Sequence, residues 1–511
     1  MNPVRLRRAE ADGLLTPAPP GAYRFEGFRI RRAEIAATLY NPSRWRPVTA
    51  MHGPRSSTTV LKLGLAVGFA LTLTSAISAR ASRTDLASRA EPASTETLRF
   101  RHLSLKTRQE VFERIWKDID EHYYDRSFNG VDWKEVHARY KPLVDETNDD
   151  GEFYALMSQM TGELHDAHTR FNSPEQWRNF KKQQGVGSGL SLDEIDGKVV
   201  VTAIRPDSNA AHVGIEPGMV LLTVDGKPVE KRISEIESAK AASSTSRATR
   251  IFTYSRLLAG PTDTEVKLEF ERADGSRFQT EVRRQIYSAA PNLATDTTPA
   301  GNAYIRFDGF QPSITKEFRQ ALERFRNSPG LIVDLRRNGG GDLGVLVPIA
   351  GYFFDKKTLF AKDETRSGKP LSEFAGVLRL PLDLYVGRSG DQIYSGPVVI
   401  LMGSHSASSS EVFAAGMQDS QRARVVGSQS CGCVLGIAKP RFMKGGGVLE
   451  MSEVLWFSPK GRRLEGTGIL PDQTVVPTLK SLQSNEDPVL QAADQALVHM
   501  IASARRPSNH L

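Results

Sequence analysis

The sequence of 511 residues predicts a mixed α/β protein, in which an N-terminal helical segment and a small β-rich module precede a layered α/β core. Three patterns support this prediction. Apolar residues recur at helical spacing between Leu98 and Gly162. Short β-branched runs separated by Asp-Gly turns fill residues 185–284. From Asn302 to about Val476, strand-like and helix-like stretches alternate, as they do in layered α/β cores.

The expected domain boundaries follow these changes in sequence texture. In chain order we expect a leader (residues 1–81), a Ser/Ala/Glu-rich linker (82–97), the helical segment (98–184), the β-rich module (185–284), the core (285–480), and a C-terminal helix with a tail (481–511). Within the core, Asp355–Ser395 shows no clear pattern and is expected to be a long irregular connection.

The leader has the features of an export signal. Leu63–Ile77 is a mainly apolar run that follows Lys62 and precedes Ala79-Arg80-Ala81, a small-x-small pair suited to signal peptidase. The run is shorter than the ~20 apolar residues that span a bilayer. We therefore expect a cleaved signal peptide over residues 51–81, a mis-assigned start upstream of it, and a periplasmic or secreted protein; an uncleaved membrane anchor is the alternative.

The net charge of +8 lies in this leader. Residues 1–81 hold twelve of the 67 Lys and Arg residues but only four of the 59 Asp and Glu residues, which leaves 55 of each sign for the remainder. A phosphate-binding surface needs clustered cations. None is apparent beyond the leader, so nucleic acid is not an expected partner.

The only two cysteines are Cys431 and Cys433. Two cysteines can form neither a disulfide framework nor the four ligands of a structural zinc site. They are either a labile disulfide or two buried thiols. No metal-ligand spacing appears elsewhere, and we expect no metal or organic cofactor.

A serine-rich turn is the strongest candidate site. Val398–Met402 predicts a buried strand, which runs into a Gly/Ser turn and then a helix starting near Ser410. A serine on such a turn lies at the positive end of the helix, where free N–H groups can hold an oxyanion. The plainer interpretation is an ordinary helix N-cap.

Four blocks together resemble one peptidase family. The first is Ser406-Ala407-Ser408-Ser409-Ser410-Glu411, which resembles the nucleophile motif of the C-terminal processing (tail-specific) serine peptidases. Three further blocks resemble that family in the same order along the chain: Leu164–Thr169, Asp334–Gly341 and Glu465–Asp472. The resemblance covers about residues 98–476.

The resemblance implies an exported serine endopeptidase that cleaves proteins or peptides through an acyl-enzyme. Its core would be crotonase-like, with Ser408 as nucleophile and the amides of Gly340 or Gly341 and of Ser409 as the oxyanion hole. The glycine loop has a plainer interpretation as a tight strand-to-helix turn.

The β-rich module resembles the inserted PDZ domain of that family. Its loop Gly187-Ser188-Gly189-Leu190 would bind the C-terminal carboxylate of a substrate. Alternatively, the module only supports or gates the core.

The sequence departs from the family at the catalytic base. Where the best-known branch has a lysine, this chain has Cys433. Other branches use Ser with His and Glu, which implies His168 as base and Glu465 behind it. The alternatives are a helix-capping His168, a surface salt bridge at Glu465, and Cys433 as nucleophile.

Two histidines near these blocks, His165 and His405, are expected to be structural. Two other protein classes compete with the peptidase. One is a catalytically impaired, peptidase-like protein that only binds peptide tails, and the other is a thiol redox protein.

Overall fold

A computed structural model describes residues 102–238, 243–288, 292–368, 372–375, 378–381, 383–388 and 393–504. The expected leader, the linker and the end of the C-terminal tail lie outside these residues. Within the described part of the chain, no helix is long and apolar enough to cross a membrane. The same residues contain no cluster of His, Cys, Asp or Glu side chains that could hold a metal ion.

The N-terminal segment packs its helices around an aromatic core. Its elements are α1 (Leu105–His122), α2 (Trp133–Glu146), α3 (Asp150–Gly162), β1 (Arg170–Asn172) and α4 (Pro174–Lys181). The first three helices begin at side-chain caps, Ser104, Asp132 and Asp149, whose oxygens accept first-turn amides. Their apolar faces bury Ile115 and Trp133 completely or nearly so.

The β-rich module follows without a break in the fold. Its elements are β2 (Gln184–Gly187), β3 (Leu190–Ile195), β4 (Lys198–Ile204), β5 (Val220–Val224), β6 (Lys227–Pro228), α5 (Val229–Ser238), α6 (Ser246–Leu257), β7 (Glu265–Glu271), β8 (Arg277–Arg283) and β9 (Gln285–Ser288). Antiparallel strands form a sheet in the order β3-β4-β5-β7-β8, with β6 beside β5. Strands β2 and β9 pair with each other where the chain enters and leaves the module.

The core is built on a second six-stranded sheet. Its elements are β10 (Leu293–Thr297), β11 (Ala303–Phe307), α7 (Pro312–Arg324), β12 (Leu331–Asp334), α8 (Leu343–Gly351), β13 (Thr358–Thr365), β14 (Ser372–Ala375), β15 (Leu378–Pro381), β16 (Leu384–Val386), β17 (Val398–Met402), α9 (Ser409–Asp419), β18 (Arg424–Gly427), β19 (Leu435–Gly436), β20 (Arg441–Phe442), β21 (Val448–Glu450), β22 (Val454–Phe457), β23 (Gln473–Thr474), α10 (Leu479–Gln483) and α11 (Pro488–Ala504).

The sheet order is β10-β11-β12-β17-β18-β23, and every pair but the first is parallel. The carboxyl ends of β12 and β17 therefore meet at one edge of the sheet. Helices cover both faces. On one face, Phe307 of β11 belongs to the same buried cluster as Phe413 of α9. On the other face, Val399 of β17 belongs to a cluster with Leu497 of α11. The mixed α/β class is confirmed.

The expectation of an irregular connection over Asp355–Ser395 was wrong. Strand β13 lies in this region and joins a four-stranded sheet in the order β16-β13-β22-β19. Its partner β22 is far along the chain, so no local turn or hairpin pattern announces the pairing. A separate three-stranded sheet, β1-β21-β20, joins the helical segment to the core.

We expect Phe413→Ala to lower the free energy of unfolding by about 3–5 kcal/mol, because it removes a fully buried ring. That ring contacts Phe310, Phe353 and Phe360. Denaturant unfolding monitored by circular dichroism measures the change. Val498→Ala, at a side chain that is 49% exposed on α11, is the control and should change it little. Equal effects of the two substitutions would contradict this description of the core.

Candidate active site

Ser408 lies at the N-cap of α9 in a backbone conformation that few non-glycine residues adopt. Its φ is 57° and its ψ is −122°. Such a conformation costs roughly 1–3 kcal/mol and persists only where the surroundings impose it. Here the Ser408 N–H donates to the carbonyl of Cys433 at 2.8 Å and to Glu411 Oε2 at 3.0 Å. The turn is therefore held from two sides, with the serine half-buried.

The glycine loop after β12 packs directly against this turn. A Cβ on Gly340, whose φ is +101°, would lie 2.6 Å from the Cβ of Ser408. A Cβ on Gly341, with φ +140°, would lie 2.3 Å from the carbonyl oxygen of Phe310. Both positions thus require glycine, for backbone conformation and for space.

Asn338 organises the amides of the same loop. Its buried side chain donates to the Phe307 carbonyl at 2.9 Å, and its Oδ1 accepts the Gly340 amide at 2.9 Å and the Ser410 hydroxyl at 2.7 Å. The Gly340 amide is therefore engaged within the loop. Ser409 ties the two segments together by donating its hydroxyl to the Gly341 carbonyl at 2.7 Å.

Glu411, for which no role was predicted, is the centre of the hydrogen-bond network. Its side chain is fully buried. Oε1 accepts from Ser430 Oγ at 2.5 Å and from the Gly432 amide at 2.8 Å, while Oε2 accepts from the amides of Ser408 and Cys433. Burial raises the pKa of Glu411 to about 7, although these donors favour its ionised form. Its place in the motif was the available sequence signal.

The two cysteines form a disulfide, Cys431–Cys433. Of the two states that the sequence left open, the structure therefore has the bonded one. Only a free thiolate is a sulfur nucleophile. In this state Cys433 has none, which excludes the alternative that it attacks the substrate.

His168 lies in a loop that is held by the partly buried carboxylate of Asp166. Asp166 Oδ1 accepts the backbone amides of His168 and Thr169 at 2.7 and 2.6 Å, and the Ser452 hydroxyl at 2.9 Å. Its Oδ2 accepts the hydroxyl of Tyr123 at 2.8 Å. The loop is thus fixed to both α1 and the strand region near β21.

The imidazole of His168 is kept neutral. Burial lowers its pKa to about 4, opposed by Asp166. Its Nδ1 is buried and has no hydrogen-bond partner among the described residues. Ala167, next to His168, and Ala407, next to Ser408, pack against the same small cluster around the disulfide. The backbone segments that carry the two candidate residues therefore meet at this cluster.

Glu465 is buried, with 6% of its surface exposed, so it is not a surface salt bridge. Its Oε2 accepts the Val434 amide at 2.6 Å, and its carboxylate also accepts the Ser244 hydroxyl. Ser244 Oγ in turn accepts the Ala167 amide at 3.1 Å. Burial raises the pKa of Glu465 to about 7. Ser244 thus bridges Glu465 to the His168 loop, but the structure has no Glu465 bond to His168 Nδ1.

The two other histidines have structural contacts. His405 Nε2 lies 3.2 Å from Asp193 Oδ2 on β3, and so joins the module to the Ser408 turn. His165, with φ +53°, ends the turn after α3.

The loop Gly187-Ser188-Gly189-Leu190 joins β2 to β3, the edge strand of the module sheet. Gly189 has φ +83°, and a Cβ there would lie 2.2 Å from the Cβ of Ser208. The Leu190 amide donates to Ser188 Oγ at 3.3 Å. The loop is therefore tightly packed at one end of an unpaired strand edge.

Two parts of the chain match described families. Residues 301–475 match peptidase family S41, and residues 105–162 match the tricorn protease C1 domain. The carboxyl-terminal-processing protease of Synechocystis sp. is 26% identical over 425 residues, covering 80% of this chain and 91% of that protein. The chloroplastic carboxyl-terminal-processing peptidase 2 of Arabidopsis thaliana is 25% identical over 400 residues, covering 74% and 70%.

Two solved structures share the fold. The photosystem II D1 C-terminal processing protease has a TM-score of 0.51 and 23% identity, covering 76% of this chain and 97% of that one. Mature CPAF has a TM-score of 0.60 and 13% identity, covering 78% and 98%. At these identities the likeness concerns the fold alone.

We expect His168 to give the protein a pH-dependent stability. The unfolded imidazole gains a proton near pH 6.5, whereas the folded one stays neutral down to about pH 4. The unfolded state therefore binds more protons in this window, so stability present above pH 6.5 is lost as the pH falls to 4. The loss amounts to about 3 kcal/mol.

Urea unfolding from pH 7 to 4 tests this expectation. His168→Gln should lose less stability than the wild type over that range. His122→Gln, at an exposed position, is the control and should follow the wild type. Identical pH dependence in all three proteins would contradict the neutral state of the His168 imidazole.

Proposed function

Because the chain belongs to the C-terminal processing serine peptidases of peptidase family S41, we propose that Ser408 is its nucleophile and that it cleaves protein substrates through an acyl-enzyme. The single observation that carries this assignment is the geometry of the Ser408 turn. Ser408 has a strained backbone conformation at the N-terminus of a buried helix, next to the Ser409 amide, which has no partner within that helix.

The proposed reaction begins with proton transfer from Ser408 to His168. The imidazole is neutral at neutral pH and so is able to accept a proton. Ser408 Oγ attacks the peptide carbonyl, and the same proton then goes to the leaving amine. Water repeats the sequence on the acyl-enzyme and releases the new C-terminus.

The amides of Gly341 and Ser409 are the proposed oxyanion hole. The Gly340 amide is already bonded to Asn338 Oδ1, which favours Gly341 of the two glycines. Ser409 is the first residue of α9, where the amide has no partner within the helix. Losing one such donor typically costs about 10²–10³ in rate.

Glu465 is proposed to stabilise the imidazolium that forms on His168. Ser244 connects the Glu465 carboxylate to the His168 loop. Burial raises the pKa of Glu465 to about 7, so a nearby imidazolium would favour the ionised carboxylate. A direct bond from His168 Nδ1 to this carboxylate is proposed to form during turnover. Apo geometries of this kind often tighten when substrate binds.

We further propose that the β-rich module is a PDZ domain that binds substrate C-termini. Its edge strand β3 is open to strand addition, and the loop before β3 lies where a terminal carboxylate would be received. Ser191 and Asp193 on β3 contact Arg337 of the glycine loop and His405 of the serine turn. A tail bound there would lie close to the proposed active site.

Export by the N-terminal leader, with cleavage near Ala81, places this activity in the periplasm or outside the cell. The substrates would then be exported proteins or their C-terminal tails.

One observation favours a second candidate, a non-catalytic peptide-binding protein. His168 Nδ1 has no partner among the described residues, and Glu465 is bonded elsewhere. If Ser408, His168 and Glu465 never form a hydrogen-bonded triad, peptide binding would be the only activity.

We expect Ser408→Ala and His168→Ala each to reduce cleavage of casein by about 10⁴-fold or more, because each removes an essential partner of one proton transfer. Cleavage is followed by release of acid-soluble peptides, and a fluorophosphonate probe should label Ser408. Ser404→Ala and His122→Ala are matched controls that should retain activity. Full activity of Ser408→Ala, or a labelled residue other than Ser408, would overturn the assignment.

We expect a peptide substrate with a free C-terminal carboxylate to have a KM about tenfold lower than its C-terminal amide, with similar kcat, because the amide loses a charge-assisted hydrogen bond. Gly189→Ala should abolish this preference, since its Cβ would meet Ser208. Gly197→Ala is the matched control: it also has positive φ, with no atom within 4 Å of its Cβ. Equal KM values for both peptides in the wild type would refute tail recognition.

A further inference from the structure

The Cys431–Cys433 disulfide lies in the loop that fixes the backbone of Ser408. The Cys433 carbonyl accepts the Ser408 amide at 2.8 Å. The Gly432 and Cys433 amides donate to Glu411 at 2.8 and 3.1 Å. Glu411 itself accepts the Ser408 amide. The disulfide closes a ring of residues 431–433. Within it, Cys433 bonds directly to the backbone of Ser408, and Gly432 is linked to Ser408 through Glu411.

The same loop also reaches the other candidate catalytic segments. The Cys431 amide donates to the Ser406 carbonyl at 3.0 Å, within the nucleophile turn. The Gly466 amide donates to the Gly432 carbonyl at 2.9 Å, and Val434, next to the ring, holds Glu465. A change in the backbone of residues 431–433 would therefore move the turn and the Glu465 segment together.

No regular secondary structure holds this loop in place. Residues 429–434 belong to no helix or strand, and Gly432 has φ +74°. The disulfide is the covalent restraint on this segment. After reduction the two sulfur atoms must separate to van der Waals distance. Because both side chains are buried, this separation pushes on the packed surroundings and on the backbone of residues 431–433.

We propose that Cys431–Cys433 is a redox site that controls whether Ser408 is competent to attack, with the oxidised enzyme active and the reduced enzyme slow. This proposal rests on the assignment of Ser408 as nucleophile. The reductant is a dithiol, either a small molecule or a protein. One of its thiolates attacks a sulfur of the pair, the S–S bond breaks, and the released cysteine takes a proton.

The second thiol of the reductant then resolves the mixed disulfide. The reductant leaves as its own disulfide, and two electrons and two protons remain on Cys431 and Cys433. Reoxidation by a small disulfide such as oxidised glutathione reverses the exchange. The balance requires no metal or other cofactor.

Access to the site depends on α6. Cys431 and Cys433 are 4% and 2% exposed, and Ala248 and Ile251 of α6 pack against them. Two bonds hold the start of this helix over the loop: Thr245 Oγ1 donates to the Cys431 carbonyl at 2.7 Å, and Arg247 Nε donates to the Ser430 carbonyl at 2.7 Å. Reduction therefore requires α6 to move, and we expect it to be slow in the folded protein.

The test compares the full chain before and after treatment with dithiothreitol. Free thiols are counted by alkylation and mass spectrometry, and the rate of fluorophosphonate labelling at Ser408 is measured with kcat and KM for a peptide substrate. The chain has only these two cysteines, so any effect of thiol exchange on it must act through this pair.

We expect the reduced protein to gain two alkylated cysteines and to be labelled about 10²-fold more slowly, as for a misplacement of the nucleophile by about 1 Å. Oxidised glutathione should restore the rate, with the loss mainly in kcat. The variant Cys431→Ser/Cys433→Ser should be labelled as slowly as the reduced protein, and neither dithiothreitol nor oxidised glutathione should change its rate. If this variant does not fold, the reversible loss in the wild type remains the deciding measurement.

Three outcomes would overturn the proposal: no thiols appear without denaturant, reduced and oxidised proteins are labelled equally fast, or the double variant is fully active. Absence of Ser408 labelling in the oxidised wild type is a different result, because it refutes the proposed nucleophile and not the redox control alone.

Discussion

The buried carboxylate of Glu411 is the constraint on which the proposed active site depends. A carboxylate without donors in a protein interior is very unfavourable, so its oxygens require the donors that surround it. Those donors come from two separate segments, the Ser408 turn and the loop of residues 430–433. Satisfying one side chain thus fixes the position of the proposed nucleophile relative to the disulfide loop.

The parallel sheet brings the other parts to the same place. The glycine loop follows β12 and the serine turn follows the neighbouring β17, so both emerge at one sheet edge. The helical segment contributes His168 from a loop that Asp166 fixes, and the module contributes Ser244 between that loop and Glu465. Residues from five distant stretches of sequence therefore meet, held by hydrogen bonds that do not depend on substrate.

Much of this arrangement could be predicted from local sequence. The buried strand Val398–Met402, the serine turn and the alternating core elements have strong local patterns, and the family motifs pointed to His168 and Glu465. Strand β13 was not predicted; it pairs with β16 about 20 residues away and with β22, which lies far along the chain. The role of Glu411 was not predicted, although it ends the Ser406–Glu411 block, because a glutamate in the first turn of a helix is usually an exposed capping residue.

The partners of buried polar atoms were equally beyond sequence reasoning. Spacing does not reveal that the Gly340 amide bonds to Asn338 Oδ1, or that Glu465 takes the Val434 amide. The pairing of Cys431 with Cys433 was one of two open alternatives until the structure placed them together.

The most direct test of the account is an experimental structure of the oxidised protein with an organophosphonate bound to Ser408. The proposed mechanism predicts that His168 Nε2 lies within hydrogen-bonding distance of Ser408 Oγ, and that the amides of Gly341 and Ser409 are directed at the phosphonyl oxygen. An imidazole directed away from Ser408, with no other base beside it, would contradict the proposed mechanism.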